Sequence, residues 1–440
     1  MPQVNQSRRD FLKSSAGIVA ASTLAGSMLS SSVYASGDDT IKIALIGCGG
    51  RGSGAASQAL STSGPVKLVA VADAFDDNAR KSLAELKNAH PDLVDVKEDH
   101  IFSGFDAYQK ALAADVDMVI LATPPGFRPI HFEAAVAAGK NIFMEKPVST
   151  DAPGIRKVLA AAEEAKKKNL KIGVGLQRHH QAKYIETVKR IQDGELGNLE
   201  LMRVYWNGDR PWVRPRKPGQ TEMEYQMRNW YYFLWLCGDH INEQHIHNLD
   251  VANWVKGGPP ATAQGQGGRQ GHPKESGEIY DHHFVEFTYP DGMTCLSQCR
   301  HMSNCWGSVS EHAHGPGKIA DIGGGKFMDH NKTILWRYEG ANDRTKGGDP
   351  NPYQVEHDDL FDAIRNNKDY DEAERGAHST MTALMGRMAT YSGKEIKWED
   401  ALNSNVSVMP TKFAFDADPP TLPDAEGHYP IPIPGVYKAI

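Results

Sequence analysis

Residues 239–247, DHINEQHIH, hold three histidines, an aspartate and a glutamate in one short segment. Histidine and carboxylate side chains bind zinc, and they also transfer protons near neutral pH. The same residue types occur on hydrogen-bonded polar helices that have no chemical role. The segment is therefore compatible with a metal site, a proton-transfer site or a structural polar helix.

A helical reading of the segment favours proton transfer over metal binding. On a helix over residues 239–252, a turn of about 100° per residue gathers one set of polar side chains on one face: Asp239, Glu243, His247 and Asp250. His240 then lies at the edge of that face and His245 points away, so the three histidines do not converge. The spacing is also not the HExxH pattern of zinc enzymes. We expect no metal here, and interpret Glu243 and His247 as neighbours that could handle a proton.

A glycine loop near the start of the chain predicts a dinucleotide site. Residues 41–54, IKIALIGCGGRGSG, join a buried-strand pattern to Gly47-x-Gly49-x-x-Gly52, with Gly50 and Arg51 inside the loop. In such a loop the glycines permit a tight turn, close approach of a pyrophosphate and close packing of helix on strand. The next strand, VKLVAVAD, ends in Asp73, whose carboxylate could bind a ribose diol and repel a 2′-phosphate. The pattern favours NAD, with NADP possible.

Strands and helices alternate through residue 177, which predicts a parallel, doubly wound sheet. Functional side chains should gather at the carboxyl edge of that sheet, where the strands end. Thr123, Pro124, Glu145 and Lys146 occupy such ends. Lys146, in the sequence Glu-Lys-Pro, could reach over a nicotinamide toward a substrate hydroxyl.

The composition excludes several classes of protein. The 440 residues are 40% hydrophobic and 23% charged, as in ordinary soluble globular proteins. The net charge is −7 and no long basic run occurs, so we expect no nucleic-acid surface. Five cysteines are too few for a disulfide-built scaffold. The sequence does not decide whether one disulfide bond forms among Cys295, Cys299 and Cys305.

Residues 1–35 have the pattern of a twin-arginine export signal. SRRDFLK at 7–13 precedes the weakly apolar run GIVAASTLAGSML, and VYA at 33–35 is a small-residue cleavage pattern. The apolar run is too short and too rich in small residues for a membrane span. We expect cleavage after Ala35 and a periplasmic or otherwise exported protein that folds before export.

Three segments together resemble the Gfo/Idh/MocA oxidoreductases, which include glucose–fructose oxidoreductase and inositol dehydrogenase. They are ATPPGFRPIHFEAAVAAGKNIFMEKP at 122–147, RIQDGELGNLELMRVYW at 190–206 and HNLDVANWV at 247–255. The resemblance covers roughly residues 40–400 and implies an α/β protein. Its Rossmann domain would span 40–177. A second α/β domain with an open, mostly antiparallel sheet would span 178–400, and the proline-rich residues 401–440 would form an extended arm.

The resemblance also implies site residues. Lys146 and His247 take the family's catalytic positions, while Glu243 stands where the family has an aspartate four residues before the histidine. The segment 122–147 adds His131 to the predicted cofactor site. Four residues that flank these motifs are candidates for substrate binding: Arg178, His180, Arg228 and Trp230. The aromatic run NWYYFLW suits either sugar rings or an ordinary core.

Three functions fit these features. The first is an exported oxidoreductase that acts on a sugar, polyol or glycoside hydroxyl, holds its NAD tightly and forms a homodimer or homotetramer. The second is a redox-neutral, NAD-dependent glycosidase that oxidises C3 of the sugar transiently, eliminates the leaving group and adds water. The third is a non-catalytic NAD-binding protein, which the glutamate at 243 keeps open. The retained Glu-Lys-Pro favours the first.

Overall fold

The computed structural model describes residues 39–340 and 348–440. The predicted export signal at residues 1–35 lies outside the described residues. Within them, every helix is too short or too polar to cross a bilayer.

Residues 41–174 build a parallel sheet in which all strand pairings run in the same direction. Its strands are β1 Ile41–Ile46, β2 Val66–Asp73, β3 Ile101–Ser103, β4 Met118–Leu121, β5 Asn141–Met144 and β6 Ile172–Val174. The spatial order β3-β2-β1-β4-β5-β6 reverses direction at β1, and ligands bind at such a switch point in doubly wound folds. The predicted Rossmann architecture is confirmed.

Helices cover both faces of this sheet, because its strands are apolar on both sides and must be shielded from water. They are α1 Gly50–Leu60, α2 Asp76–Ala89, α3 Ala107–Ala113, α4 Arg128–Ala137 and α5 Ala152–Lys167. The last of them begins at an N-cap, where the Asp151 carboxylate accepts a hydrogen bond from Gly154 N at 2.9 Å.

The second sheet has nine strands in the order β14-β13-β12-β11-β7-β10-β9-β8-β15. They are β7 Leu201–Gly208, β8 Thr262–Gly268, β9 His282–Thr288, β10 Thr294–His301, β11 Ser308–Gly315, β12 Lys318–Asp321, β13 Lys326–Met328, β14 Ile334–Arg337 and β15 Ile396–Lys397. All pairings are antiparallel except β7 with β10, which confirms the predicted, mostly antiparallel sheet.

The remaining helices join the two sheets. They are α6 Ala182–Gln192, α7 Glu222–Arg228, α8 Leu234–Cys237, α9 His240–Glu243, α10 Ile246–Lys256, α11 Pro352–Asn366, α12 Ala373–Ser392 and α13 Trp398–Leu402. The longest, α12, is buried along most of its length and contacts both α5 and β8. One apolar core therefore runs from the first sheet into the second.

The first domain also contains residues from beyond the predicted boundary at residue 177. Three residues of α11, which the prediction assigned to the second domain, pack in the core of the first: Leu360, Phe361 and Ile364. Position along the sequence could not show which sheet this helix would cover.

The predicted arm at 401–440 has no regular helix or strand after α13. It lies on its own chain, where Phe415 packs against Phe105 with ring centroids 4.9 Å apart. Phe413 contacts Phe127 at 5.6 Å. Because Phe105 and Phe127 line the cavity described below, the arm supports one of its walls.

The open disulfide question has a simple structural answer: all five cysteines are unbridged. Cys295 and Cys299 lie buried on β10, and Cys305 is exposed.

Candidate active site

A cavity of about 620 Å³ opens at the carboxyl edge of the first sheet and is closed on the other side by the second domain. Its wall includes every residue predicted to bind the cofactor: Gly47, Gly49, Gly50, Arg51, Gly52, Asp73, Thr123, Pro124, His131, Glu145 and Lys146. Glu243 and His247 also line it, so the predicted cofactor and proton-transfer residues share one cavity.

The glycine loop between β1 and α1 has the form that the spacing predicts. Gly47 has φ +100°, and a Cβ there would lie 2.4 Å from the backbone of Ala122 and Thr123. A Cβ on Gly52 would lie 1.9 Å from Gly47 O. A Cβ on Gly49 would meet nothing within 4 Å, so this side of the loop is open. The free amides in the first turn of α1 therefore fit a pyrophosphate.

Asp73 is held at the end of β2 by backbone and side-chain donors. Its carboxylate accepts hydrogen bonds from Cys48 N at 2.8 Å, Phe75 N at 2.9 Å and Asn78 Nδ2 at 3.3 Å. Burial raises its pKa, and these hydrogen bonds oppose that effect. The side chain is therefore fixed at the position where a ribose diol would be recognised.

Glu145 does not point into the cavity as a free carboxylate. Arg51 Nε donates to Glu145 Oε1 at 2.5 Å, and Arg51 Nη2 donates to Glu356 Oε1 at 3.0 Å. Tyr353 lies under the same guanidinium, 4.9 Å from its carbon. No sequence motif pointed to Tyr353 or Glu356, because α11 reaches this wall from a distant part of the chain.

Arg128 is a site residue that the sequence reasoning missed. Its fully buried guanidinium donates to Glu145 O at 2.9 Å and to Thr123 O at 2.6 Å, tying the ends of β4 and β5 together. Burial lowers its pKa to about 10. The pKa of neighbouring His131 falls to about 3, through burial and the Arg128 charge, so its imidazole is neutral. The missed signal was an arginine that opens the helix after the strand end at Thr123 and Pro124.

Lys146 and Glu243 meet across the cavity. Lys146 Nζ donates to the backbone oxygen of Glu243 and lies 3.2 Å from Glu243 Oε1. The Lys146–Pro147 peptide bond is cis. The ion pair joins the end of β5 to α9, so it connects the cofactor domain with the segment that carries the predicted base.

Glu243 is suited to accept and release a proton. Burial raises its pKa to about 7, and the nearby Lys146 ammonium limits that rise. Its Oε2 has no hydrogen-bond partner among the described residues. A carboxyl group with a pKa near neutrality exchanges protons at little cost under ordinary assay conditions.

His247 has a different protonation state. Burial lowers its pKa well below the ordinary value, and the Lys146, Arg178 and Arg51 charges add to the effect. Its ring stacks on Trp206 with centroids 5.8 Å apart, and Nδ1 has no described partner. The imidazole is therefore neutral and offers a lone pair.

The prediction of a single helix over residues 239–252 is wrong. The chain forms one turn at His240–Glu243, breaks at Gln244 and His245, and restarts at Ile246–Lys256. His245 faces β10, where Nε2 lies 2.7 Å from Ser297 Oγ. His240 does not line the cavity that Glu243 and His247 share.

Two candidate substrate residues lie outside the cavity, which corrects their assignment. Arg178 is buried and forms an ion pair with Glu311, and Asn248 donates to the same carboxylate at 2.5 Å. His180 pairs with Asp359 at 2.7 Å and with Glu372 at 3.2 Å. Both side chains have protein partners, and Arg178 is connected through Glu311 to Asn248 at the start of α10.

Arg228 and Trp230 do line the cavity, but Arg228 faces its cofactor end. Both of its terminal nitrogens donate to Asp77 at 2.9 Å, and its guanidinium lies 3.7 Å above the Phe75 ring. Most of the aromatic run NWYYFLW is core: Tyr232, Phe233 and Trp235 are fully buried.

Two family models match consecutive parts of the chain and together cover more than half of it. The model described as "Oxidoreductase family, NAD-binding Rossmann fold" (GFO_IDH_MocA) matches residues 41–174. The model of the GFO/IDH/MocA C-terminal domain matches residues 184–308.

A curated relative is inositol 2-dehydrogenase of Rhizobium meliloti (strain 1021), which is 28% identical over 223 residues. That alignment covers 51% of this chain and 57% of the relative. The chain thus spans about half the length of the curated relatives it matches.

Solved structures share the fold over most of the chain. Aldose-aldose oxidoreductase from Caulobacter crescentus aligns with a TM-score of 0.61 and 18% identity, over 81% of this chain and 99% of that one. Scyllo-inositol dehydrogenase from Lactobacillus casei, solved with NAD(H) and scyllo-inositol, aligns with a TM-score of 0.61 and 20% identity, over 82% and 99%. With its two domains, its glycine loop and Lys146 opposite Glu243 and His247, the chain belongs to the Gfo/Idh/MocA oxidoreductase family.

Proposed function

We propose that this protein is an NAD(P)-dependent oxidoreductase that acts on a hydroxyl of a sugar, polyol or glycoside. The observation that carries the proposal is the convergence of Lys146, Glu243 and His247 on the cavity that also holds the glycine loop and Asp73. Relatives and structural neighbours whose names specify inositol or aldose substrates support the substrate class.

The role of each residue follows from its protonation state. When bound, NAD supplies a hydride acceptor. Lys146, a cation at the end of β5, orients the substrate hydroxyl and stabilises the oxygen as its proton leaves. Glu243, ionised above about pH 7, accepts that proton, and the neutral His247 provides a second acceptor in the same cavity.

We further propose that the protein is exported through its twin arginines with NAD already bound. A periplasmic enzyme has no obvious supply of free NAD, so the cofactor must stay bound through turnover and be reset by a second substrate. The export route is tested with the double substitution Arg8→Lys and Arg9→Lys, which should leave the protein in the cytoplasm. Export of that variant at the native level would refute the twin-arginine route.

The first test is the nucleotide content of the mature protein. The full chain is exported through its own signal, purified and denatured, and the released nucleotide is identified by mass spectrometry. NAD or NADH in near-equal amount to protein supports the proposal, and NADP would change only the cofactor. A chain that arrives empty and binds added NAD weakly would contradict the tightly held cofactor.

The redox-neutral glycosidase is separated from the dehydrogenase by one assay. Release of the aglycone from aryl glycosides of both anomers, without added NAD or acceptor, would favour the glycosidase. Turnover that requires a second carbonyl compound as acceptor supports the oxidoreductase. No turnover of any sugar, polyol or glycoside by nucleotide-loaded protein would favour the non-catalytic alternative. The predicted homodimer or homotetramer can be checked in the same preparation by light scattering.

Asp73 should determine the choice of nucleotide. Asp73→Ser removes a carboxylate at the ribose position, and we expect NAD affinity to fall about 10- to 100-fold, as when charge-assisted hydrogen bonds are lost. NADP affinity should fall less or rise, because the repulsion of a 2′-phosphate disappears. Calorimetric titration of nucleotide-free protein measures both affinities. Asp73→Asn, which keeps an acceptor for Cys48 N, controls for loop damage, and equal losses for both nucleotides in Asp73→Ser would contradict the assignment.

A further inference from the structure

A second cluster of metal-ligating side chains lies behind α9, outside the wall of the cavity. Asp239, His240 and His283 are completely buried, and their ligand atoms all lie within 4.8 Å of one another. Asp239 Oδ1 is 2.8 Å from His240 Nδ1 and 3.2 Å from His283 Nε2. One carboxylate oxygen is thus shared by two imidazoles in the core of the second domain.

Three of the four imidazole nitrogens in this cluster lack a hydrogen bond among the described residues. Neither ring nitrogen of His240 nor Nε2 of His283 has a hydrogen-bond partner among the described residues. They lie close to the carboxylate but without the direction that an N–H donor requires. Buried polar atoms without partners are costly, so this arrangement calls for a further group.

The hydrogen bonds around His283 decide which of its nitrogens carries the lone pair. Thr390 Oγ1 donates to the backbone oxygens of Gly386 and Arg387, at 3.2 and 3.1 Å. A hydroxyl that donates its single proton to one of these oxygens accepts from His283 Nδ1, which lies 2.9 Å from Thr390 Oγ1. Neutral His283 therefore turns an Nε2 lone pair toward the Asp239 carboxylate. A lone pair 3.2 Å from a carboxylate oxygen is repelled unless a proton or a metal ion lies between the two atoms.

Cys299 is the candidate for a fourth ligand. It is buried on β10, directly opposite His283 in the β9–β10 register and beside the His240 ring. One carboxylate and one thiolate with two neutral imidazoles would balance a divalent cation in a buried site. Tetrahedral zinc with Zn–N bonds of about 2.0–2.1 Å places nitrogen and oxygen ligands roughly 3.3 Å apart. The Asp239 Oδ1–His283 Nε2 distance of 3.2 Å fits this spacing, and the 2.8 Å distance to His240 Nδ1 is shorter.

We propose that Asp239, His240, His283 and Cys299 bind one zinc ion in a structural site. The ion would fasten α9 to β9 and β10. Because Glu243 N donates to Asp239 O at 2.9 Å, the same ion would fix the turn that presents Glu243 to the cavity. Asp239 has φ +78°, a backbone conformation that is unfavourable outside glycine and that metal coordination would stabilise. The sequence-based expectation was no metal in residues 239–247, which include Asp239 and His240. The proposal departs from it because His283 and Cys299 reach the cluster from the distant strands β9 and β10.

Metal content of the full chain tests the site. Protein is expressed with added zinc, purified without chelators and analysed by mass spectrometry of the elements. We expect about one zinc per chain, since a closed structural site retains its ion through purification. His283→Ala should lose it. The matched control is His357→Ala, because His357 is also fully buried with both ring nitrogens unpartnered but lies outside the cluster. A wild-type chain without zinc, or equal zinc in both variants, overturns the proposal.

A spectroscopic test does not depend on whether His283→Ala folds. The wild-type chain is unfolded with chelator and refolded with Co²⁺ in place of zinc. Tetrahedral coordination should give strong visible ligand-field absorption, and thiolate ligation should add a near-ultraviolet charge-transfer band that Cys299→Ser lacks. Weak absorption like that of aqueous cobalt would overturn the site. A charge-transfer band unchanged in Cys299→Ser would overturn the fourth ligand.

Discussion

Glu243→Gln is expected to lower kcat by about 10²- to 10⁴-fold, the usual contribution of a general base. Glutamine keeps the size of the side chain and its contact with Lys146 but cannot accept a proton at any working pH. The assay uses the best substrate from a panel of inositols, aldoses and glycosides, with nucleotide content measured in parallel. Glu133→Gln, on the exposed face of α4, is the matched control and should keep wild-type activity.

The pH profile shows which of the two acceptors is the base. The wild-type rate should fall as pH drops below about 7, because Glu243 must be ionised and its pKa is raised to about 7 by burial. The pKa of His247 lies well below its ordinary value, so a histidine base would place the acid limb at much lower pH. We expect His247→Asn to reduce the rate while the limb stays near pH 7. An acid limb well below pH 6.5 that persists in Glu243→Gln would show that Glu243 is not the base.

Lys146→Met is expected to lower kcat/KM by about 10²-fold or more, because a cation that orients the reacting hydroxyl is lost. The change should also move the acid limb. Lys146 is the main group that lowers the pKa of Glu243, so without it that pKa rises and the limb shifts to higher pH. At neutral pH a smaller fraction of Glu243 is then ionised, which compounds the loss of rate.

The control for Lys146→Met is Lys157→Met, which removes an exposed lysine paired with Glu133 at 2.7 Å. Its activity and pH profile should match those of the wild type, since exposed ion pairs contribute little. If Lys146→Met keeps the wild-type limb but releases its nucleotide, Lys146 holds the cofactor and does not act on Glu243. Unchanged kcat/KM would remove Lys146 from the reaction altogether.

The first domain was predictable because its determinants are local. Buried β-branched strands alternate with amphipathic helices, and parallel strands place all their carboxyl ends at one edge. Residues at those ends, from Gly47 to Lys146, therefore had to meet, and all of the predicted cofactor residues line the cavity. The prediction of this cofactor site required no knowledge of contacts between distant segments.

The second half of the site was predictable only in part. Glu243 and His247 were found through their residue types and the resemblance, yet the helix assumed to align them is broken at Gln244 and His245. His245 leaves the helical path to bond Ser297 on β10, an interaction that outweighs local helix propensity. Arg178 and His180 had suitable positions in the sequence, but Glu311, Asp359 and Glu372 engage them from distant elements.

The sequence alone determined the Rossmann domain, the nucleotide loop and the family. It also pointed to Lys146, Glu243 and His247, which all line the cavity. These follow from short-range patterns, in which a residue's role depends on neighbours a few positions away. Only the tertiary structure decided the protonation states and the partners, because burial and distant charges set them. Burial and Lys146, which lies 97 positions before Glu243, together set the pKa of Glu243 at about 7. His240 lies outside the cavity, in a cluster with Asp239 and His283. Local sequence carries no record of either contact.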